Sequence, residues 1–272
     1  MKDLIYTQGL DMVSFTQLPS YKKLLSFSST PPDLREILTL QRIEEYRLEV
    51  DSLQLFYATE RIDNSILSAL FSLAEEARVK EKMEKMQKGE ILNSIAHFPS
   101  ENRAVLHTVT RDIKPANITP GVEKAQKLAL SQLEDLQRFL EEHNNFSHLV
   151  QIGIGGSSLG PEAFCLALEA YKIKGRSFHF IANVDPDEAA CILQELDLSK
   201  TLVVVVSKTG STLETVTNEA LARSYFEKEG INPNKHFVAI SAASFPQEKK
   251  QTYLTTFSMD ESVGEDFPQP LW

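Results

Sequence analysis

Two short stretches combine glycines and hydroxyls at a spacing suited to holding an anion. The first is Gly153-Ile154-Gly155-Gly156-Ser157-Ser158-Leu159-Gly160-Pro161, which follows a short apolar run and opens a helical pattern. Glycine lets a backbone approach a ligand closely, and a helix start offers N–H groups that have no intrahelical partner. The second is Ser207-Lys208-Thr209-Gly210-Ser211-Thr212, set between Leu-Val-Val-Val-Val and a further helical pattern that begins Leu213-Glu214-Thr215. Its four hydroxyls, gathered at a helix start, form a nest of small donors that suits a phosphate monoester.

Both loops admit other readings. A dinucleotide fingerprint needs Gly-x-Gly-x-x-Gly, but its last position is Ser158, and no acidic residue stands about 20 positions further on to take a ribose. A tight structural turn remains an alternative for the first loop. A Walker loop is excluded at the second, because no glycine stands at the required spacing before Lys208. A capped helix start with incidental hydroxyls remains an alternative there. Glu214 reads either as a base or, in keeping with its place in a first turn, as a complement to the helix dipole.

The elements that must position these loops change character near Pro115. Before it the apolar spacing predicts helices over residues 34–50, 62–86 (with Asp63 and Asn64 as caps), 100–111 and, just beyond it, 122–143. After His143, strands over 149–154, 178–182, 202–206 and 236–240 alternate with helices over 159–171, 186–196 and 213–229. Four strands with helical crossovers imply a parallel α/β sheet. Both loops then lie at carboxyl ends of strands, where open α/β sheets bind ligands.

Composition narrows the class. The chain has 272 residues, 42% of them hydrophobic and 24% charged, with a formal net charge of −10. That is an ordinary globular composition, and an acidic balance of this size argues against a nucleic-acid partner. No apolar run reaches the ~18 residues that suggest a membrane span, and the first twelve residues show no apolar core of a signal peptide. Cys165 and Cys191 lie in apolar helical contexts and read as reduced core thiols of a cytoplasmic protein, without metal-ligand spacing.

The motifs resemble those of the glucose-6-phosphate isomerase family. QIGIGGSSLGPEA is similar to its first sugar-contacting loop and VVVVSKTGSTLETVTN to its phosphate loop. SENRAVLHTVTRD and LFYATERIDNSILSALFSLAEEA resemble segments that precede them, in the same order. The resemblance implies a three-layer sugar isomerase (SIS) domain over residues 116–264, a parallel sheet flanked by helices, preceded by a helical N-terminal extension over 1–115. It implies that Gly156 and Ser157 contact the sugar and that Ser207, Lys208 (largely through its backbone), Thr209 and Thr212 hold the phosphate. The implied reaction is the reversible aldose–ketose isomerisation of glucose 6-phosphate and fructose 6-phosphate in glycolysis and gluconeogenesis. It proceeds through an enediol with no metal or organic cofactor, and the full-length family is homodimeric.

That chemistry needs a carboxylate base, an acid/base for ring opening and positive charge for the enediolate. In the family these are a Glu, a His and a Lys from the second half of a longer chain, plus an Arg in a Gly-Gly-Arg motif, so no catalytic residue is expected among these 272. After Asp260-Glu261-Ser262-Val263-Gly264 the text departs from the family and reads Glu265-Asp266-Phe267-Pro268-Gln269-Pro270-Leu271-Trp272. With suitable synonymous codons, deleting one base from a family-like Gly-Arg-Phe-Ser-Ala-Thr-Ser-Val-Val frame yields this text followed by a stop. Residues 265–272 are therefore expected to be an out-of-frame tail of a truncated, inactive copy. The alternative is a non-catalytic sugar-phosphate-binding module.

Overall fold

The computed structural model describes residues 15–94, 100, 102–108 and 119–263. The change of character expected at residue 115 and the tail expected over 265–272 lie outside the described residues. The chain divides into two units, residues 1–86 with 91–102, and residues 87–90 with 103–272.

In the first unit, α1 (Pro19–Phe27) packs along α4 (Asn64–Glu76). The Ser20 hydroxyl and amide donate to the Glu76 carboxylate at 2.7 and 3.1 Å. Between these helices run α2 (Leu34–Ile37), α3 (Leu40–Glu45) and an antiparallel hairpin of β1 (Arg47–Val50) and β2 (Leu53–Phe56); α5 (Val79–Gln87) follows α4. The helix expected over 34–50 is therefore split at Leu38 and Thr39, both extended, and ends at Glu45. Leu48 and Val50 pair with Leu55 and Leu53 across the hairpin, and Asp51 takes a left-handed φ of 53° at the turn. That period-two alternation was hidden inside a helical reading of the same apolar residues. The helix expected over 62–86 is broken at Arg78, also left-handed at φ 53°. Asp63 does cap α4, accepting from the amides of Ser65 and Ile66 at 2.9 Å.

Arg42 holds this unit's turn in place. Its guanidinium donates to the carbonyls of Ala58, Glu60 and Ile62 at 2.9, 3.1 and 2.8 Å, and it is 7% exposed. Burying a guanidinium is favourable only because its donors are taken and its charge stacks on Tyr46 at 3.9 Å.

In the second unit, among the described residues, a five-stranded sheet has the order β4-β3-β5-β6-β7, with every pair parallel. Its strands are β3 (His148–Ile152), β4 (Ser177–Ile181), β5 (Thr201–Val206), β6 (Phe237–Ala242) and β7 (Thr255–Met259). The helices are α6 (Pro120–Glu142), α7 (Gly156–Ala167), α8 (Pro186–Glu195), α9 (Leu213–Lys228) and the short α10 (Gln247–Lys250). On one face Val203 and Val205 meet Leu193 of α8 and Ala222 and Phe226 of α9. On the other, Leu202, Val238 and Phe257 meet Phe139 of α6. The fold is thus α/β, a parallel sheet flanked by helices, as expected.

Three local expectations differ. Four strands were expected, and β7 makes a fifth: its Thr-Thr-Phe-Ser-Met text is rich in hydroxyls, because only Phe257 is buried on this edge strand. The helix expected over 100–111 is absent at residues 102–108, and the rest of it lies largely outside the described residues. The Leu106 amide donates at 3.0 Å to the carbonyl of Ser262 instead of to its own helix. Finally, Cys191 is exposed rather than in the core, because α8 buries Ala189 and Leu193 and residue 191 points away between them. Cys165 is half-buried; burial, then the charges of Glu169 and Glu162, push its thiol up. No helix among the described residues is long and apolar enough to cross a membrane.

Phe226, 0% exposed on the sheet-facing side of α9, anchors the main core. Phe226→Ala is expected to cost about 3–5 kcal/mol, while Cys191→Ala stays within about 0.5 kcal/mol. Urea unfolding followed by circular dichroism checks both, and equal midpoints for the two variants would contradict this packing.

Candidate functional site

The strand order reverses at the β3–β5 boundary. From β3 the chain crosses to β4 on one side, and it returns through α8 to β5 on the other. Right-handed crossovers then send α7 to one face and α8 and α9 to the opposite face, which opens a crevice at the carboxyl ends of β3 and β5. The two loops picked out by their glycines and hydroxyls leave those two strands. They are adjacent: a Cβ on Gly153 would lie 3.2 Å from the carbonyl of Val206 and 2.9 Å from that of Ser157.

In the first loop Gly155 takes φ 58°, and Gly156 and Ser157 form the first turn of α7. Gly155 gives α7 no side-chain cap, and the Ser157 and Ser158 amides at this helix start bond the carbonyls of Ile154 and Gly155 at 3.2 and 3.0 Å. Pro161 lies inside α7. Lacking an N–H, it cannot bond the carbonyl of Ser157 four residues earlier. The side-chain amide of Gln151 donates to that carbonyl at 2.6 Å instead. Gln151 is a polar residue within β3 and only 8% exposed. Sequence reasoning passed over it, although a glutamine inside Leu-Val-Gln-Ile-Gly is itself a signal.

In the second loop Ser207, 6% exposed, and Thr212 place their hydroxyl oxygens 3.1 Å apart. Ser207 Oγ also accepts from the Gly210 amide at 3.1 Å, and Thr209 Oγ1 accepts from the Ser211 amide at 3.3 Å. Thr212 is the N-cap residue of α9, yet its side chain makes no capping bond. The α9 amides that a cap would satisfy are thus left to another acceptor. Thr209 is exposed, and Lys208 is half-buried with its ammonium turned to the carbonyls of Glu261 and Val263 at 3.1 and 2.7 Å. Thr215, in the first turn of α9 and 2% exposed, has an unpartnered hydroxyl.

The second loop is held from behind by β6 and the turn after it. The Lys208 carbonyl accepts from the Ala242 amide at 3.0 Å and from Ser241 Oγ at 3.1 Å. Gly210 is left-handed at φ 65°, and a Cβ there would sit 2.4 Å from the ring of Phe245. Only glycine fits that position. Ser241 and Phe245 were not singled out by the sequence; a serine inside the apolar strand Val-Ala-Ile-Ser was the available signal. Behind the loop lies a cavity of about 230 Å³ bounded by Ser207, Gly210, Thr215, Phe245 and Tyr253. Its far wall is a closed network in which Tyr253 donates to Glu219 at 2.6 Å and Arg223 donates to the same oxygen at 2.8 Å. Burial, then the bond to Glu219, pushes the Tyr253 phenol well above its ordinary value. Glu214 is half-buried in the first turn of α9.

The arrangement offers neutral donors from the uncapped start of α9 and a hydroxyl cluster, which is chemistry for a multiply charged anion rather than for a cation. Among the described residues no group of three or more His, Cys, Asp or Glu could hold a metal ion.

The phosphoglucose isomerase family model matches residues 56–265. Glucose-6-phosphate isomerase of Protochlamydia amoebophila (strain UWE25) is 44% identical over 256 residues, which is 92% of this chain and 48% of that protein. The same enzyme of Chlamydia abortus is 40% identical over 259 residues, covering 94% of this chain and 49% of that protein. The crystal structure of a glucose-6-phosphate isomerase from Chlamydia trachomatis D/UW-3/Cx superimposes with a TM-score of 0.81 at 39% identity, over 92% of this chain and 49% of that one. The chain spans about half the length of the curated relatives it matches. Within that span, strand order, loops and relatives agree: the chain belongs to the phosphoglucose isomerase family.

Proposed function

We propose that the crevice at the ends of β3 and β5 binds a sugar phosphate, and that it supplies the phosphate-holding half of a site for interconverting glucose 6-phosphate and fructose 6-phosphate. The observation that carries this is the Ser207–Thr212 hydroxyl pair standing at a helix start with no side-chain cap. Ser207, Thr209, Thr212 and the backbone around Lys208 take the phosphate, and Gly156 and Ser157 meet the sugar. Phosphate fits because its oxygens accept several hydrogen bonds at once and its charge complements the dipole of α9. The family match over residues 56–265 supports the isomerase as the reaction class.

Isomerisation through an enediol requires a base at C2, an acid/base for ring opening and a cation for the enediolate. In this reading those groups are not among residues 1–272, which bind and orient the phosphorylated end. The reading carries with it a homodimeric full-length enzyme without a metal or organic cofactor, working in the cytoplasm in glycolysis and gluconeogenesis.

Two results test it. Thr209→Ala with Thr212→Ala removes two hydrogen bonds to a charged group and is expected to weaken fructose 6-phosphate binding by about 3–6 kcal/mol, nearer the lower end because Thr209 is exposed. Calorimetric titration of the 272-residue chain measures this, and an unchanged dissociation constant removes both residues from the site. Purified residues 1–272, free of host isomerase and coupled to glucose 6-phosphate dehydrogenase, are expected to show no turnover of fructose 6-phosphate. Rates in the ordinary enzyme range of about 1–10³ s⁻¹ would place the proton-transfer groups inside this chain after all.

A further inference from the structure

We propose that the side chain of Lys208 is a strut tying the phosphate loop to residues 260–263, so that an anion seated in the loop also orders that segment. The second half of this statement rests on the phosphate-binding reading above, and the first does not. Lys208 is fixed at both ends. Its carbonyl is pinned to the end of β6 by the Ala242 amide and Ser241 Oγ. Its ammonium donates to the carbonyls of Glu261 and Val263 at 3.1 and 2.7 Å. Among the described residues no carboxylate forms an ion pair with it, and both bonds that its ammonium makes there go to backbone oxygens.

The segment at the other end of the strut needs such a partner. Residues 260–263 follow β7 without regular secondary structure, yet Ser262 is 8% and Val263 1% exposed. Buried irregular backbone must find hydrogen bonds outside a helix or sheet. Here the Ser262 carbonyl takes the Leu106 amide at 3.0 Å, while Lys208 serves the carbonyls on either side of it, sharing that of Glu261 with the Arg103 guanidinium at 3.2 Å and serving that of Val263 at 2.7 Å. The amides of Ser262 and Val263 turn inward to Asp260, at 2.8 and 3.1 Å. Lys208 thus supplies two of the bonds that close this turn. A lysine suits the task, because its ammonium has three donors on a flexible stem and can reach two carbonyls that do not lie in one plane. A phosphate that fixes the loop backbone fixes the foot of this strut and, through it, the turn. Lys208 is therefore a positioning residue through its side chain.

Hydrogen exchange on the 272-residue chain tests both halves, with fructose 6-phosphate as the probe. Without ligand, Lys208→Met is expected to speed exchange of the Leu106, Ser262 and Val263 amides by about tenfold or more, the effect of losing two charge-assisted bonds, and Lys208→Arg restores much of the protection. Amides of Val150 in β3 and Val203 in β5 keep their wild-type rates. With saturating fructose 6-phosphate, exchange of the Ser262 and Val263 amides slows in the wild type and not in Lys208→Met. Rates at those three amides within about twofold of wild type would overturn the strut, as would a large loss of ligand affinity with unchanged exchange, which would make the ammonium a phosphate ligand. A wild type that binds no fructose 6-phosphate sinks the phosphate reading, while the ligand-free rates still decide the strut. Should Lys208→Met also expose Val150 and Val203, Lys208→Gln decides: an intermediate rate supports the strut and a wild-type rate overturns it.

Discussion

Parallel strands joined by right-handed crossovers place their helices on one face when the chain steps one way across a sheet, and on the other face when it steps back. In this protein the step back occurs between β3 and β5. Two helix starts therefore diverge from neighbouring strand ends, and nothing in the sheet itself fills the space between them. Everything assigned to the site depends on that divergence. The glycines at 153 and 155 let the first chain turn sharply beside the Val206 carbonyl, and the hydroxyls of Ser207 and Thr212 line the neighbouring turn. The same sequence placed between strands that step in one direction would give two covered helix starts and no crevice.

Holding both loops open takes polar groups inside the sheet. Gln151 in β3 and Ser241 in β6 each donate a side-chain bond to a carbonyl of the loop beside them. Both are less than 10% exposed. An unpaired buried amide or hydroxyl costs roughly 1–3 kcal/mol, so these positions are tolerable only while the loops keep their shape. Phe245 acts on the same turn through packing, lying where any side chain at residue 210 would have to go. Shape at the ligand face is thus set from the rear.

How far the sequence carried the fold follows from how local each signal was. Both loops, their strands and their helices were legible, because glycines, caps and an apolar run within a dozen residues specify a strand–loop–helix unit. Asp63 caps its helix as its side chain suggests. The hairpin at 47–56 was not legible, since Leu48 and Val50 continue the apolar spacing of the residues before them and were read into the helix over 34–50. β7 was missed because an edge strand buries little, and residues 102–108 because the Leu106 amide finds its partner more than 150 positions away in Ser262. Of the site, the residues that face a ligand were read from their types. Those that fix them, Gln151, Ser241 and Phe245, owe their roles to contacts between strands that no local pattern encodes.

The central position of β3 also has a cost in time. It is the first strand of the sheet to be made, and its partners on either side are β4, ending at Ile181, and β5, ending at Val206. Until both exist, the buried run Val150–Ile152 lacks a partner along at least one edge. At a synthesis rate of about 5–20 residues per second, the 54 residues from Ile152 to Val206 take about 3–11 seconds. Parallel pairing closes long loops and is slow in its own right. During that interval a nascent chain carries a strand with an open edge, followed by glycines, which is a surface for a chaperone to cover and for neighbouring chains to find.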